Sequence, residues 1–142
     1  MDEKNLFTSN IEAHVLRIKK DADLLKEIKE YVNANKIQAC FIMTCVGSLK
    51  KITIRLATEI IFTKNEFYQI ASLTGNISVE REHIHISLSD PTGDVIGGHL
   101  LEGNTVYTPV EIVLGVLPNL KYTSALVSDK SGWKELVVNI NN

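Results

Sequence analysis

Residues 83–100 read HIHISLSDPTGDVIGGHL, and three of the chain's four histidines, His83, His85 and His99, fall inside those eighteen positions. The period-two alternation of a β-strand puts Ile84, Ile86 and Leu88 on one face of HIHISLS and His83, His85, Ser87 and Ser89 on the other. The apolar triplet faces a core. Asp90, Pro91, Thr92 and Gly93 are turn formers, so the chain reverses here and returns as VIGGHLL.

The register of the returning strand decides whether the third histidine joins the first two, because a slip of one residue sends every side chain to the opposite face. If Ser89 pairs with Asp94, His99 lies opposite Ile84 on the core face and a lone imidazole is buried. If Ser89 pairs with Val95 around a five-residue loop, Ile96 opposes Leu88, Leu100 opposes Ile84, and His99 stands across from His85. The hydrophobic pattern selects the second register.

In that register opposed Cβ atoms are roughly 5 Å apart and i,i+2 neighbours roughly 7 Å. Imidazole arms can close those gaps onto one ion about 2.0–2.1 Å from each nitrogen. Gly97, opposite Ser87, leaves space beside the cluster. Three histidines with one position left open form the donor set of a catalytic rather than a structural zinc ion. The open position takes a substrate oxygen or a water, whose pKa zinc lowers to about 7. Other divalent metals that favour imidazole fit as well. Glu102, just past the returning strand, and Glu111 are alternative groups for orienting that water or adding a ligand, and the sequence does not choose between them. The competing expectation is that these are surface or interface histidines on a polar sheet face.

Working outward, DADLLKEIKEYVNAN, from about Asp21 to Asn35, reads as the one long helix. Asp21 caps it, Asp23 adds negative charge near the positive end of the dipole, and Asn35 stops it. Leu24, Leu25, Ile28, Tyr31 and Val32 make its apolar face. The remainder runs in short alternating or apolar stretches between turn residues. Strands are expected at Glu12–Ile18, Ile37–Val46, Lys51–Ala57, Glu59–Thr63, Phe67–Thr74, Asn76–Val79, His83–Ser89, Val95–Leu101, Val106–Leu114, Lys121–Val127 and Glu135–Ile140. Breaks are expected at Gly47, Gly75, Gly93, Gly103, Gly115 and Gly132. Without a repeat or linker this predicts a single α+β domain over residues 1–142, core about 8–140, dominated by an antiparallel sheet.

Cys40 and Cys45 are separated by an odd number of positions, which on a regular strand sends them to opposite faces as small buried hydrophobes rather than a joint metal site. His14 has no evident partner and reads as structural.

The chain has 142 residues and a net charge of −2, with 44% hydrophobic residues, an ordinary globular composition. That charge supplies no basic field for nucleic acid, so direct nucleic-acid binding is not expected. Arg17, Lys19 and Lys20, and likewise Lys50, Lys51 and Arg55, read as solvated groups. No apolar run is long enough to span a bilayer and MDEKNLFTSN carries no export signal, so a cytoplasmic protein is expected and the Asn76-Ile77-Ser78 glycosylation pattern means little.

With those residues in place, the chain resembles the plants-and-prokaryotes-conserved (PPC) domain, also found in plant nuclear proteins behind AT-hook motifs. The matching stretches are VLRIKKDADLL at 15–25, CVGSLKKITIRLA at 45–57, LTGNIS at 73–78, HIHISLSDPTGDVIGGHLLEG at 83–103 and VYTPVEIVLG at 106–115. The resemblance implies a strongly bent antiparallel sheet with a helix packed on it, assembling as a homotrimer. It also implies that His83, His85 and His99 are metal ligands, as in prokaryotic-type members; plant members usually lack that set. The Arg-Gly-Arg AT-hook core is absent, so any DNA association would pass through a partner protein. The family pattern has an arginine where Arg55 stands. In ITIRLA, Ile52, Ile54 and Leu56 form the buried set, leaving Arg55 either to clamp an anionic ligand or to form an intersubunit salt bridge.

Two functions follow as expectations. One is a homotrimer whose three histidines hold zinc for a small-molecule or enzymatic role, with hydrolysis or hydration as the fitting chemistry. The other is a regulatory interaction module in which the histidines are structural. Gly97-Gly98 precede a strand residue rather than a helix and are not a nucleotide loop.

Overall fold

Period-two patterning and turn chemistry are realised as a mainly antiparallel sheet with one short helix. The structure, a computed structural model, describes residues 6–126 and 132–142. The first five residues, on which part of the N-terminal reading rests, and Val127, the end of one expected strand, lie outside the described residues. In chain order the elements are β1 (Glu12–Ile18), α1 (Leu24–Ala34), β2 (Cys40–Val46), β3 (Ser48–Arg55), β4 (Ile61–Lys64), β5 (Tyr68–Ser78), β6 (Arg81–Ser89), β7 (Val95–Leu100), β8 (Thr105–Val106), β9 (Val110–Val116), β10 (Leu120–Leu126) and β11 (Lys134–Ile140). The main sheet runs β1-β9-β2-β5-β6-β7-β3-β4, with β8 on β3 and a further β5–β3 pairing; β10 and β11 form a separate hairpin.

The buried face collects Ile84, Ile86 and Leu88 of β6, Ile52 and Ile54 of β3, Ile112 and Leu114 of β9, and Leu24, Leu25, Ile28 and Val32 of α1 into one cluster. Tyr31 packs against it from partial burial. The helix face expected from its spacing is the one that is buried.

Two bulges change the expected strands. In β5 the register shifts between Ile70 and Ser72, so the core positions move from Tyr68 and Ile70 to Leu73 and Ile77 and stay buried throughout. The stretch is one strand, not two. Gly75 does not break it: the residue sits inside β5 opposite Ile84, at φ 155°, where a Cβ would lie 2.1 Å from the His83 carbonyl oxygen. Glycine is there for close strand approach. Gly115 likewise lies within β9, and the break in the expected Val106–Leu114 strand comes earlier, between β8 and β9.

In β2 the register shifts between Ile42 and Thr44, so Cys40, Ile42 and Cys45 oppose Val116, Leu114 and Ile112 of a single face. The two cysteines therefore share a face, contrary to the expectation from their odd spacing, because the extra residue reverses the alternation. Both remain free thiols, and burial pushes each pKa up to about 12.

The helix start is also corrected. Asp23, not Asp21, is the N-cap, accepting from the Lys26 amide at 3.0 Å, whereas Asp21 has φ 71° and pairs with Lys50. The choice is tertiary. The other Asp23 carboxylate oxygen accepts from the amides of Gly103 at 2.6 Å and Asn104 at 3.2 Å. Asn104, fully buried, donates to the Leu101 and Thr53 carbonyls at 2.6 and 2.8 Å and accepts from the Thr53 amide at 3.0 Å. Helix α1, strand β3 and the chain leaving β7 are thereby tied at one point.

Asn104→Ala removes three bonds and leaves partly buried backbone groups of Thr53 and Leu101 without them, each costing up to about 1–3 kcal/mol when unsatisfied. A loss of at least about 3 kcal/mol is expected, read as a lowered denaturant midpoint.

Candidate metal centre

Strand β6 buries its isoleucines and so turns His83 and His85 to the opposite face. β7 returns with Ser89 on Val95, Leu88 on Ile96, Ser87 on Gly97 and His85 on His99, the register that the apolar pattern selects. The three rings lie with centroids 4.9, 5.7 and 5.8 Å apart. One nitrogen from each falls within 4.8 Å of the others. A tetrahedral ion with bonds of about 2.0–2.1 Å needs nitrogens roughly 3.4 Å apart. Side-chain rotation of exposed His83 and His85 spans that difference, so the donor set fits a divalent ion of zinc type.

Electrostatics keep the lone pairs available. Burial, followed by the Arg55, His83 and His85 charges, pulls His99 down from 6.5 to about 4. Burial, then His85, Arg81 and Arg55, also lowers His83. Both are neutral near pH 7, the form a metal requires.

Arg81 flanks the set. It donates to Asn76 Oδ1 and to Ser124 Oγ, each at 3.0 Å, and its remaining nitrogen lies 3.4 Å from His83 Nδ1. A neutral imidazole has one lone pair, so an ion on His83 either takes Nδ1 in place of this long contact or takes Nε2 after the contact has given way.

Arg55 stands on the other flank as the β3 partner of His99. Gly98 makes this possible, since a Cβ there would lie 2.6 Å from the Arg55 carbonyl oxygen. Arg55, Glu59, Gly97, Trp133 and the histidines line a cavity of about 360 Å³. A neighbouring cleft of about 410 Å³ shares Arg55, His83, His99 and Trp133 and adds Arg81.

Glu102 and Glu111 are not brought to the histidines. Glu102 is exposed, with Lys29 Nζ at 3.6 Å, and that same ammonium is 3.5 Å from Glu82. Glu111 lies on β9 between Arg17 and Val46, and β2 and β5 separate it from β6. Three strand spacings amount to roughly 14 Å. His14 is not isolated: Nδ1 meets the Tyr31 hydroxyl at 2.7 Å and Nε2 meets Glu12 Oε1 at 2.6 Å.

Two site residues escaped the sequence. Arg81 precedes His83 by two, so alternation alone puts it on the histidine face. Trp133 carries no local signal, because the β10–β11 hairpin delivers it.

The family model of the Plants and Prokaryotes Conserved (PCC) domain matches residues 7–118. The chain is similar to the Bifunctional protein GlmU of Synechococcus sp. (strain JA-3-3Ab), 32% identical over 131 residues, which are 91% of this chain and 21% of that protein. It spans about a fifth of the length of the curated relatives it matches. A hypothetical protein from Salmonella cholerae-suis has a similar structure, with TM-score 0.92 and 30% identity over 96% of this chain and 99% of that one. A metal-containing protein from Archaeoglobus fulgidus shares the fold at TM-score 0.77 and 24% identity over 94% of this chain and 99% of that one.

In metal-free protein the depressed imidazole of His99 contributes to the acid limb of stability. Above pH 6.5 His99 is neutral both folded and unfolded; between 6.5 and about 4 the unfolded chain takes a proton that the folded state refuses. Stability therefore falls with pH across that window and this contribution levels off below it. Denaturant midpoints measured against pH should fall more steeply for the wild type than for His99→Gln, and equal slopes would contradict the depressed pKa.

Proposed function

We propose, for a chain that belongs to the Plants and Prokaryotes Conserved (PCC) domain family, a homotrimeric metal-binding protein with a small-molecule or enzymatic role. His83, His85 and His99 hold zinc or another divalent ion and leave a coordination position open. The observation that carries this reading is the convergence of three imidazole nitrogens within 4.8 Å beside a cavity of about 360 Å³. The Archaeoglobus fulgidus protein of the same fold, described as metal-containing, supports it.

A bound ion would supply Lewis acidity and an acidified water, which suits hydrolysis or hydration. The chain's own residues do the rest. Neutral His83 and His99 offer lone pairs without proton release, Arg81 restrains the His83 ring, and Gly97 leaves the approach beside the rings clear. Trp133 walls the cavity.

The trimer rests on the family resemblance and on exposed apolar side chains of the sheet, among them Val15 at 77%, Val46 at 61% and Ile61 at 62% exposure. Apolar side chains left so open on strands suit contact with further copies.

Protein purified without a histidine tag should contain about one metal ion per chain, lose it in His85→Ala, and gain about 2.7 kcal/mol of stability at a free zinc concentration 100-fold above Kd. Metal absent at every purification stage, with no stabilisation on adding zinc, would sink the reading and leave the regulatory interaction module. Light scattering should give three times the 15.8 kDa chain mass.

A further inference from the structure

Among the described residues Arg55 makes no salt bridge and no side-chain hydrogen bond, although it is half-buried and lines the same cavity as the three histidines. A guanidinium has five donors in a rigid fork and keeps its charge at any accessible pH. Its place beside His99 is electrostatically adverse to a site that merely holds a cation, because it repels the incoming ion. The placement becomes favourable when an anion lies between the two. We propose that the cavity binds a small organic carboxylate, with Arg55 as its anchoring residue and the three-histidine centre as the second pole. This rests on the metal-site reading above.

The surroundings narrow the ligand class. One guanidinium fork matches one carboxylate in bidentate fashion. Glu59 lines the same cavity and disfavours a dianion such as phosphate. The size, about 360 Å³, suits a small molecule rather than a polymer. Trp133, with 57% of its surface exposed, lines the cavity too and adds an aromatic side chain to its wall. Gly97 and Gly98 bring strand backbone into the cavity wall.

The test uses the full chain, and its sole tryptophan, Trp133, serves as the reporter. Benzoate, its neutral isostere benzamide, and inorganic phosphate are titrated by tryptophan fluorescence and calorimetry into zinc-supplemented wild type, Arg55→Ala and Arg55→Lys. Benzoate should bind at least tenfold more tightly than benzamide or phosphate. Arg55→Ala, which leaves only the metal pole, should lower that preference most, and Arg55→Lys, which keeps charge but loses the fork, should lower it less. Equal binding of benzoate and benzamide, phosphate binding as tight as benzoate, or a preference unchanged in both variants would each overturn the proposal. So would an Arg55→Ala protein with unaltered benzoate affinity whose assembly falls apart in light scattering, since Arg55 would then bridge copies. Metal content is measured on every sample. Wild type without zinc sinks the metal reading, while the dependence of benzoate binding on Arg55 in that same protein still decides this one.

Discussion

The two faces of one strand cannot be set independently, and the arrangement of the candidate centre follows from that constraint. Burying Ile84, Ile86 and Leu88 commits His83 and His85 to the other side of β6, and keeping Ile96 against Leu88 commits His99 to stand opposite His85. A slip of one residue would expose several aliphatic side chains, each contributing about 1.5–3 kcal/mol by burial. It would also push an imidazole into the core, a polar group whose burial costs more unless it finds a partner. The core thus enforces the geometry of a polar cluster with which it shares no side chain.

This is why the histidine hairpin could be read from sequence while much around it could not. Alternation and turn residues are local, and they fix β6, β7 and their register. A bulge is one extra residue with no compositional mark. At Ile42–Thr44 and Ile70–Ser72 such residues reversed the alternation, moving the core positions along β5 and bringing Cys40 and Cys45 to one face. The shift in β5 is visible afterwards as core positions that change from Tyr68 and Ile70 to Leu73 and Ile77. The helix cap falls two residues beyond Asp21 for a different reason. Asp21 and Asp23 are equal candidates locally, and the amides of Gly103 and Asn104, eighty residues away, decide for Asp23.

Long-range order accounts for the remaining differences. The sheet order puts two strands between Glu111 and β6, a separation that no local pattern marks. Trp133 reaches the site only because the β10–β11 hairpin returns the chain; that hairpin is held to the sheet by Tyr122, whose amide donates to the Gln38 carbonyl at 2.8 Å and whose carbonyl accepts from Ser78 Oγ at 2.8 Å. Asn104 shows the same principle at the base of the site. Its amide brackets both backbone groups of Thr53, two positions from Arg55, so the strand that presents the guanidinium is pinned where it leaves the core.

Arg55 acts on the histidines in two opposing ways. Its charge helps to depress His99 and His83, which keeps imidazole lone pairs free of protons. The same charge opposes a divalent ion, which it repels twice as strongly as it repels a proton at the same distance. Protons and metal are both cations, so an arginine alone cannot favour one without hindering the other. Burial breaks the tie only in part, since it disfavours a charged imidazole but also strengthens the repulsion. A negative group between guanidinium and histidines changes the balance, because it is attracted by both poles and screens each from the other. Arg55, unpaired among the described residues, and the imidazoles of His83 and His99 are therefore two halves of one electrostatic arrangement, incomplete until an anion joins them.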